Sequence, residues 1–144
     1  MSDVATAMPE IWYRLSILEG VDTNKPGIYE WRIEGAGSYI GRYTFSDRPF
    51  GNYARHVRDQ LSGGIYKPSR PDGWRRIHRE LYAALLDGRE IELIFVENCS
   101  VGELNARERV HRKDRGTLNG RRRSLEECRR PKLAQTLATA QADA

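Results

Sequence analysis

The sequence predicts an α+β fold: a small, mainly antiparallel three-stranded sheet, built from a hairpin and a third strand and flanked by helices. Two observations predict this class. Residues 27–45 alternate in the manner of a β-hairpin, and the segments after them combine helical spacing with one further strand-like run. A chain of 144 residues can bury one core of this kind without disulfide bridges.

The hairpin is predicted from a two-residue alternation around a glycine-rich turn. Residues 27–33 (GIYEWRI) have the period of a half-buried strand. Residues 34–38 (EGAGS) supply two glycines suited to a turn with positive φ. Residues 38–45 (SYIGRYTF) form the returning strand. The short turn is expected to bring Tyr29 and Tyr39 into the same neighbourhood.

Two helices are predicted to follow the hairpin. Apolar residues at helical spacing indicate the first over residues 49–62, and the Gly63-Gly64 pair ends it. The second is predicted over residues 72–88, with Asp72 as its N-cap and Gly88 as its stop.

A third strand and a third helix complete the predicted core. Residues 89–98 (REIELIFVEN) are rich in isoleucine, valine and phenylalanine, which favours a strand. Residues 100–115 are predicted to form a helix that Ser100 caps and that stops near Gly116.

Three regions are expected along the chain. Residues 1–24 are predicted to be an N-terminal leader, residues 25–120 the folded domain, and residues 121–144 a basic, partly disordered C-terminal tail. Pro131 interrupts any helix in the tail, and the residues after it lack aromatic side chains.

Charge is unevenly distributed along the chain, whose formal net charge is +4. Residues 1–41 contain six acidic and three basic side chains, whereas residues 107–132 contain eleven basic and four acidic ones. Such asymmetry is typical of a protein that binds a polyanion, most often a nucleic acid. A solvated helix face is the alternative explanation.

Cysteine usage and hydropathy predict a cytoplasmic protein that does not enter a membrane. The spacing of Cys99 and Cys128 fits neither a disulfide framework nor a zinc site, so both are expected to be free thiols in a reducing compartment. No apolar run approaches the length of a membrane span.

The triplets Gly27-Ile28-Tyr29 and Tyr39-Ile40-Gly41 resemble the signature of the GIY-YIG nuclease superfamily, and the order of elements over residues 27–119 is similar to that family as well. The resemblance implies an endonuclease that hydrolyses DNA phosphodiester bonds with Mg²⁺, for which Mn²⁺ can substitute. In the family, the first tyrosine takes a proton from the attacking water, directly or through a relay, and that role maps onto Tyr29. The second helps to place the water or the phosphate, and that role maps onto Tyr39. The alternative is that both tyrosines are strand aromatics that pack on the helices.

The resemblance also implies one metal-binding glutamate on the third predicted helix. Glu103 and Glu108 both lie there, and helical phase does not separate them. The family's spacing from this glutamate to a loop asparagine favours Glu108, paired with Asn119, which would tie the loop to the site. A surface pairing of Glu108 with Arg112, and a simple turn role for Asn119, are the alternatives.

A catalytic arginine on the first predicted helix is a further implication of the resemblance. Arg48 matches the family's distance from the second triplet but precedes Pro49, whereas Arg55 lies within the helix but farther along. Aligning the apolar stripe instead puts His56 in that place. Either guanidinium would suit bidentate binding of a phosphate oxygen.

DNA, duplex or branched, is the implied partner, and a homodimer or a recruiting protein is a further option because no second domain is recognisable. Arg121, Arg122 and Arg123 are predicted to contact backbone phosphates outside the site, a salt-dependent interaction that does not select a base sequence. Homing, repair, restriction and mobile-element maintenance all fit. Two other function classes fit as well: a catalytically inactive module that binds DNA or a protein partner, and a structural protein whose basic tail binds RNA.

Overall fold

The structure is a computed structural model that describes residue 9 and residues 11–130. It contains a four-stranded mixed sheet with the strand order β1-β4-β2-β3. The strands are β1 (Arg14–Ile17), β2 (Gly27–Ile33), β3 (Gly37–Tyr43) and β4 (Ile91–Asn98). β2 pairs antiparallel with both β3 and β4, and β1 pairs parallel with β4.

Among the described residues, four α-helices accompany the sheet: α1 (Tyr53–Leu61), α2 (Arg76–Asp87), α3 (Leu104–Arg115) and α4 (Leu125–Cys128). A π-helical turn, Arg48–Asn52, leads into α1, and a 3₁₀ turn, Val101–Glu103, leads into α3. Within the described part of the chain, no helix has both the length and the apolar character that spanning a membrane requires.

The α+β class is confirmed, but the prediction of three mainly antiparallel strands is wrong, because β1 adds a fourth, parallel strand. This strand lies in the segment predicted to be a leader. Its side chains are mostly exposed, and Ser16 and Arg14 bond to Glu92 on β4. Leu15 and Ile17 alternate with Arg14 and Ser16, but this run is only four residues long, and backbone pairing and polar contacts hold it in the sheet. The predicted tail is described only as far as residue 130, where it forms α4; residues 131–144 lie outside the described part.

The second helix begins four residues later than the sequence predicts, so Asp72 as its N-cap is wrong. Arg75 occupies the N-cap position, and its backbone N–H donates to Nδ1 of His78, 3.1 Å away. The imidazole thus satisfies a backbone donor near the helix start, as the side chain of a capping box does. Asp72 forms an ion pair with Arg79 instead. Gly88, with φ at 68°, ends the helix as predicted.

The sheet is covered on both faces. One face of β2 carries Tyr29 and Trp31, which pack with side chains of α1 and α2. The other face carries Ile28, which packs with Ile40 of β3 and Leu104 of α3. α2 and α3 therefore lie on opposite sides of the sheet, and β3 forms the sheet edge between them.

Both glycines of the two triplets are sterically required. A Cβ on Gly27 would lie 2.1 Å from the carbonyl oxygen of Glu97, where β2 and β4 approach each other at a β-bulge. A Cβ on Gly41 would lie 2.2 Å from Cζ of Tyr29. The phenol ring of Tyr29 thus occupies the space above Gly41 that any other residue would fill. This packing explains the second triplet without any reference to catalysis.

We predict that Gly41→Ala lowers the free energy of unfolding by about 1–3 kcal/mol, the usual cost of overpacking a closed core. Gly51→Ala is the matched control, because nothing lies within 4 Å of a Cβ at that exposed position. Urea denaturation of both variants measures the difference. Equal midpoints for the two variants would contradict the close contact between Gly41 and Tyr29.

A buried ion pair fixes α3 against β2. Glu30 is 1% exposed, and its Oε1 accepts a hydrogen bond of 2.8 Å from Nε of Arg115, in the last turn of α3. Burial alone would raise the pKa of Glu30, but the hydrogen bonds from Arg115 and Ser38 outweigh it and hold the pKa below its ordinary value. The charged form of Glu30 therefore contributes to stability.

We predict that Glu30→Gln destabilises the protein at neutral pH by about 1–3 kcal/mol, because a buried ionic hydrogen bond is lost. The pKa of Glu30 is lower in the folded than in the unfolded state, so its contribution is complete above the ordinary value of 4.5. It is lost as the pH falls from there through the folded value. The variant should lack this part of the acid-induced loss of stability, measured by denaturation between neutral and acid pH. The exposed control Glu19→Gln should follow the wild type, and parallel acid profiles for all three proteins would reject the assignment.

Candidate active-site cleft

A cleft of about 650 Å³ lies at the free edge of β3, between the start of α2 and the outer part of α3. Elements from both faces of the sheet line it, together with the loop after α3. Its charged lining comprises seven arginines and one glutamate: Arg42, Arg48, Arg75, Arg76, Arg112, Arg121, Arg122 and Glu108. The cleft is therefore strongly positive, with one isolated negative charge.

Tyr29 lies beneath this cleft in the core and has no exposed surface. Its hydroxyl is hydrogen-bonded to the hydroxyl of Tyr53, at the start of α1. Burial raises the pKa of Tyr29, and Tyr39 adds to the rise, whereas Tyr53 and the charge of Arg48 lower it. The net effect favours the neutral phenol. Because no part of Tyr29 is exposed, its hydroxyl has no direct contact with solvent.

Tyr39 differs from Tyr29 because it is partly exposed and lines the cleft. Its hydroxyl accepts a hydrogen bond of 3.2 Å from Nη1 of Arg75. Arg75 precedes α2 and is distant in sequence from both triplets, so sequence spacing gives no sign of this contact. The same holds for Tyr53, whose place in an apolar helical stripe disguises its hydrogen bond to Tyr29.

The two candidate arginines lie in different places. Arg48, in the π-helical turn, lines the cleft and lies close enough to Tyr29 to affect its pKa. Arg55 is exposed on α1 and is not part of the cleft lining. His56 lines a smaller cavity next to the cleft, together with Arg48. The helical segment begins at Arg48 with the π-helical turn, although a proline follows. Arg48 therefore lies at the start of this segment, whereas Arg55 lies within α1.

Glu108 is the carboxylate that faces the cleft. Its side chain is 18% exposed, and its Oε1 lies 4.0 Å from Nη1 of Arg42 and 3.8 Å from Nη1 of Arg112. Both distances exceed a hydrogen bond. Glu103 instead accepts hydrogen bonds from the backbone and the hydroxyl of Ser100, at the start of the turn before α3. The structure therefore separates the two glutamates that helical phase leaves equivalent.

Asn119 fastens the loop after α3 to the edge of β3. Its Oδ1 accepts a bond of 2.8 Å from the backbone N–H of Ile40, and its Nδ2 donates a bond of 2.8 Å to the carbonyl of the same residue. Nearby, the N–H of Leu118 donates to the carbonyl of Ser38 at 2.9 Å. The loop thus pairs with an edge strand that would otherwise present open backbone groups. Asn119 therefore joins the loop to β3, which a residue with only a turn role would not do.

The three predicted phosphate-binding arginines follow this loop. Arg121 and Arg122 line the cleft, whereas Arg123 is exposed and is not part of the lining. Arg42 and Arg112 extend the positive surface on the side of Glu108. Their positions depend on how β3 and α3 face each other, which residue spacing alone does not reveal.

A divalent cation fits this donor set as a single-carboxylate site. In residues 11–130, no three His, Cys, Asp or Glu side chains gather into a preformed metal cage. The oxygens of Glu30 and Glu97 are occupied by arginine hydrogen bonds of 2.8 Å, whereas the contacts of Glu108 with arginine are longer and leave its lone pairs accessible. Mg²⁺ suits such a site, because it retains several waters and needs few protein ligands. Glu108 is the residue that would hold it.

No protein-family model, curated protein or solved structure matches this chain significantly. The resemblance to the GIY-YIG nucleases stays a prediction from the two triplets, the spacing from Glu108 to Asn119 and the order of elements.

We predict that Asn119→Ala releases the loop from β3, because the buried backbone groups of Ile40 lose both partners. The expected cost is about 1–3 kcal/mol of stability. The sharpest measurement is hydrogen exchange at the Ile40 amide, which should lose protection. Asn105→Ala, at an exposed position on α3, is the matched control and should leave that amide unchanged. Retained protection of Ile40 in Asn119→Ala would contradict the pairing.

Proposed function

We propose that this protein is a divalent-metal-dependent DNA endonuclease that hydrolyses phosphodiester bonds in the cleft at the edge of β3, with a GIY-YIG type of active site. One observation carries the proposal: Tyr39, Arg48, Glu108 and Asn119, which come from four separate segments, all line the same cleft. The family resemblance implies all four, with Arg55 as the alternative to Arg48, together with Tyr29, which is not part of the cleft lining. Packing requirements of the fold alone do not demand this combination in one solvent-accessible place.

Phosphate binding is assigned to the guanidinium groups on the tyrosine side of the cleft. Arg48 and Arg75 both line it, and Arg75 is oriented by its hydrogen bond to the hydroxyl of Tyr39. Guanidinium groups stabilise the charge that develops on phosphate oxygens during hydrolysis, and they do so most strongly where water is partly excluded. Tyr39 in turn helps to orient the attacking water or the phosphate.

Tyr29 is assigned an indirect role. Its burial and raised pKa argue against a phenol that takes a proton directly from bulk water. Its hydrogen bond to Tyr53 and the nearby charge of Arg48 support a positioning role, in which the Tyr29–Tyr53 pair keeps Arg48 in place.

Glu108 is assigned to the metal. A bound Mg²⁺ or Mn²⁺ supplies positive charge that stabilises the phosphate and the leaving oxygen. Asn119 holds the loop, and so the arginines after it, against the same strand edge as Tyr39.

DNA is the proposed substrate because the lining has seven arginines and one glutamate. Contacts of this type neutralise backbone phosphates and do not select a base sequence. Duplex and branched DNA both suit this chemistry, and base selection would come from a second copy or from a recruiting protein.

A second candidate function is a DNA-binding or partner-binding module without turnover. The complete burial of Tyr29 is the observation that favours it, because a catalytic tyrosine in a hydrolase is expected to reach the reacting water. This module would keep the arginine-rich cleft and bind DNA with the same dependence on salt.

We predict that the purified protein nicks supercoiled plasmid in the presence of Mg²⁺ and that Glu108→Gln lowers the rate on the order of 100-fold, as expected when one preorganised electrostatic partner is lost. Glu103→Gln is the matched control: it makes the same chemical change on a glutamate that is absent from the cleft lining. Tyr39→Phe and Arg48→Gln should also slow cleavage.

The rate of nicking and the affinity for DNA should be measured together for each variant. Equal cleavage by Glu108→Gln and the wild type would reject the assignment of the metal ligand. Tight DNA binding without cleavage by the wild type, under Mg²⁺ and Mn²⁺ alike, would reject the nuclease and support the binding module.

A further inference from the structure

A smaller cavity of about 80 Å³ lies next to the cleft, between α1 and α2. Six residues line it: Arg48, Asn52, Tyr53, His56, Arg75 and His78. Arg48 and Arg75 line both spaces, so these two side chains separate the small cavity from the cleft. The proposed hydrolysis does not use the imidazoles of this cavity.

His78 presents an unpartnered donor in this cavity. The residue is 1% exposed, and its Nδ1 accepts the backbone N–H of Arg75, so the proton of the neutral ring is on Nε2. This Nε2 is buried and has no hydrogen-bond partner among the described residues. A buried polar group without a partner costs about 1–3 kcal/mol, which indicates that a bound species satisfies it.

The imidazole of His56, which also lines the cavity, likewise has a nitrogen without a hydrogen-bond partner in the described part of the chain. Nδ1 of His56 is buried and unpartnered, and the ring lies 4.2 Å from that of His78, centroid to centroid. Among the described residues, no carboxylate lines this cavity to offset the charges of Arg48 and Arg75, which would repel a cation. The occupant is therefore expected to accept hydrogen bonds.

The charge of the cavity also favours an occupant that accepts hydrogen bonds. Within residues 11–130, Arg48 and Arg75 have tyrosine hydroxyls as their neighbours and form no ion pair with a carboxylate. The amino end of the twelve-residue α2 adds the positive end of its dipole. Burial, then the neighbouring His56, Arg75 and Arg48, lower the pKa of His78 to about 2, so it stays neutral and keeps one N–H to donate.

We propose that this cavity binds one phosphate group, which Nε2–H of His78 holds from inside the cavity and which Arg48 and Arg75, the side chains that line both spaces, hold as donors shared with the scissile phosphate. A cavity needs roughly 10–15 Å³ to hold one water molecule, so one of about 80 Å³ has room for an anion larger than water. The phosphate comes either from the end of a DNA strand or from free inorganic phosphate. Only the strand-end source rests on the proposed nuclease function, for which it would provide recognition of a nicked or cleaved strand beside the cleft.

Binding of inorganic phosphate to the full chain, without metal and at constant ionic strength, tests the site directly. Calorimetry should show saturable binding, and ¹⁵N NMR should show a shift of the Nε2–H signal of His78 in the wild type. The NMR observation needs no variant. Absence of saturable binding, or binding that leaves this signal unchanged, would mean that the cavity holds only water and would overturn the proposal.

Three variants locate the anion. Arg75→Gln removes a donor, and His78→Asn keeps an acceptor near the position of Nδ1 but removes Nε2–H; each should weaken phosphate binding about tenfold or more, the effect of losing roughly 1.4 kcal/mol. Arg79→Gln removes the same charge from the same helix, but Arg79 contacts Asp72 and Gln60 and is not part of the cavity lining. Undiminished binding by folded His78→Asn would place the phosphate in the open cleft and overturn the proposal.

Short duplexes that carry a 5′-phosphate, a 3′-phosphate or hydroxyl ends distinguish the two sources of phosphate. Stronger competition by one phosphorylated end identifies the strand end as the ligand, whereas equal competition by all three duplexes identifies the free ion. The plasmid assay remains separate: cleavage without phosphate binding rejects this cavity alone, and phosphate binding without cleavage rejects the nuclease alone.

Discussion

The hydrogen-bonded contact between Asn119 and Ile40 is the interaction on which the cleft depends. β3 is an edge strand, and its open backbone groups accept the loop after α3 as though that loop were a short further strand. Because the loop is fastened there, α3 on one face of the sheet and α2 on the other meet at a common edge. Glu108 of α3 and Arg76 of α2, which belong to elements on opposite faces, line one cleft with Tyr39 of β3 for this reason.

Electrostatics divides the charged side chains into two groups. Glu30 with Arg115, and Glu97 with Arg107, form close ion pairs that join α3 to the sheet. Such paired charges stabilise the arrangement of elements and leave little capacity for ligands. Seven arginines gather instead at the cleft, and within residues 11–130 four of them, Arg48, Arg75, Arg121 and Arg122, form no ion pair with a carboxylate, so an anionic ligand would relieve their mutual repulsion. The uneven distribution of charge along the sequence is consistent with this division. It does not show which arginines are paired and which line the cleft.

Local signals in the sequence predicted the parts of the fold that depend on neighbouring residues. The hairpin and the stop at Gly88 are confirmed, because alternation and helix-terminal geometry are short-range properties. Ser100 caps the 3₁₀ turn that leads into α3, whereas α3 itself begins at Leu104. β1 is not predicted because its alternation of polar and apolar residues extends over only four positions. The start of α2 was misplaced because an imidazole, and not Asp72, satisfies the first backbone donor. Tyr53 and Arg75 were missed as site residues because their contacts with Tyr29 and Tyr39 join segments distant in sequence.

The proposed site requires that Glu108 hold a divalent cation beside the arginines that bind the scissile phosphate. Anomalous diffraction from Mn²⁺, in crystals of the full chain bound to duplex DNA, tests this requirement. We expect one strong anomalous peak within coordination distance of the Glu108 carboxylate, with a DNA phosphate between that ion and Arg48. A cleft occupied by DNA with no metal peak at Glu108, or with the metal bound elsewhere, would contradict it.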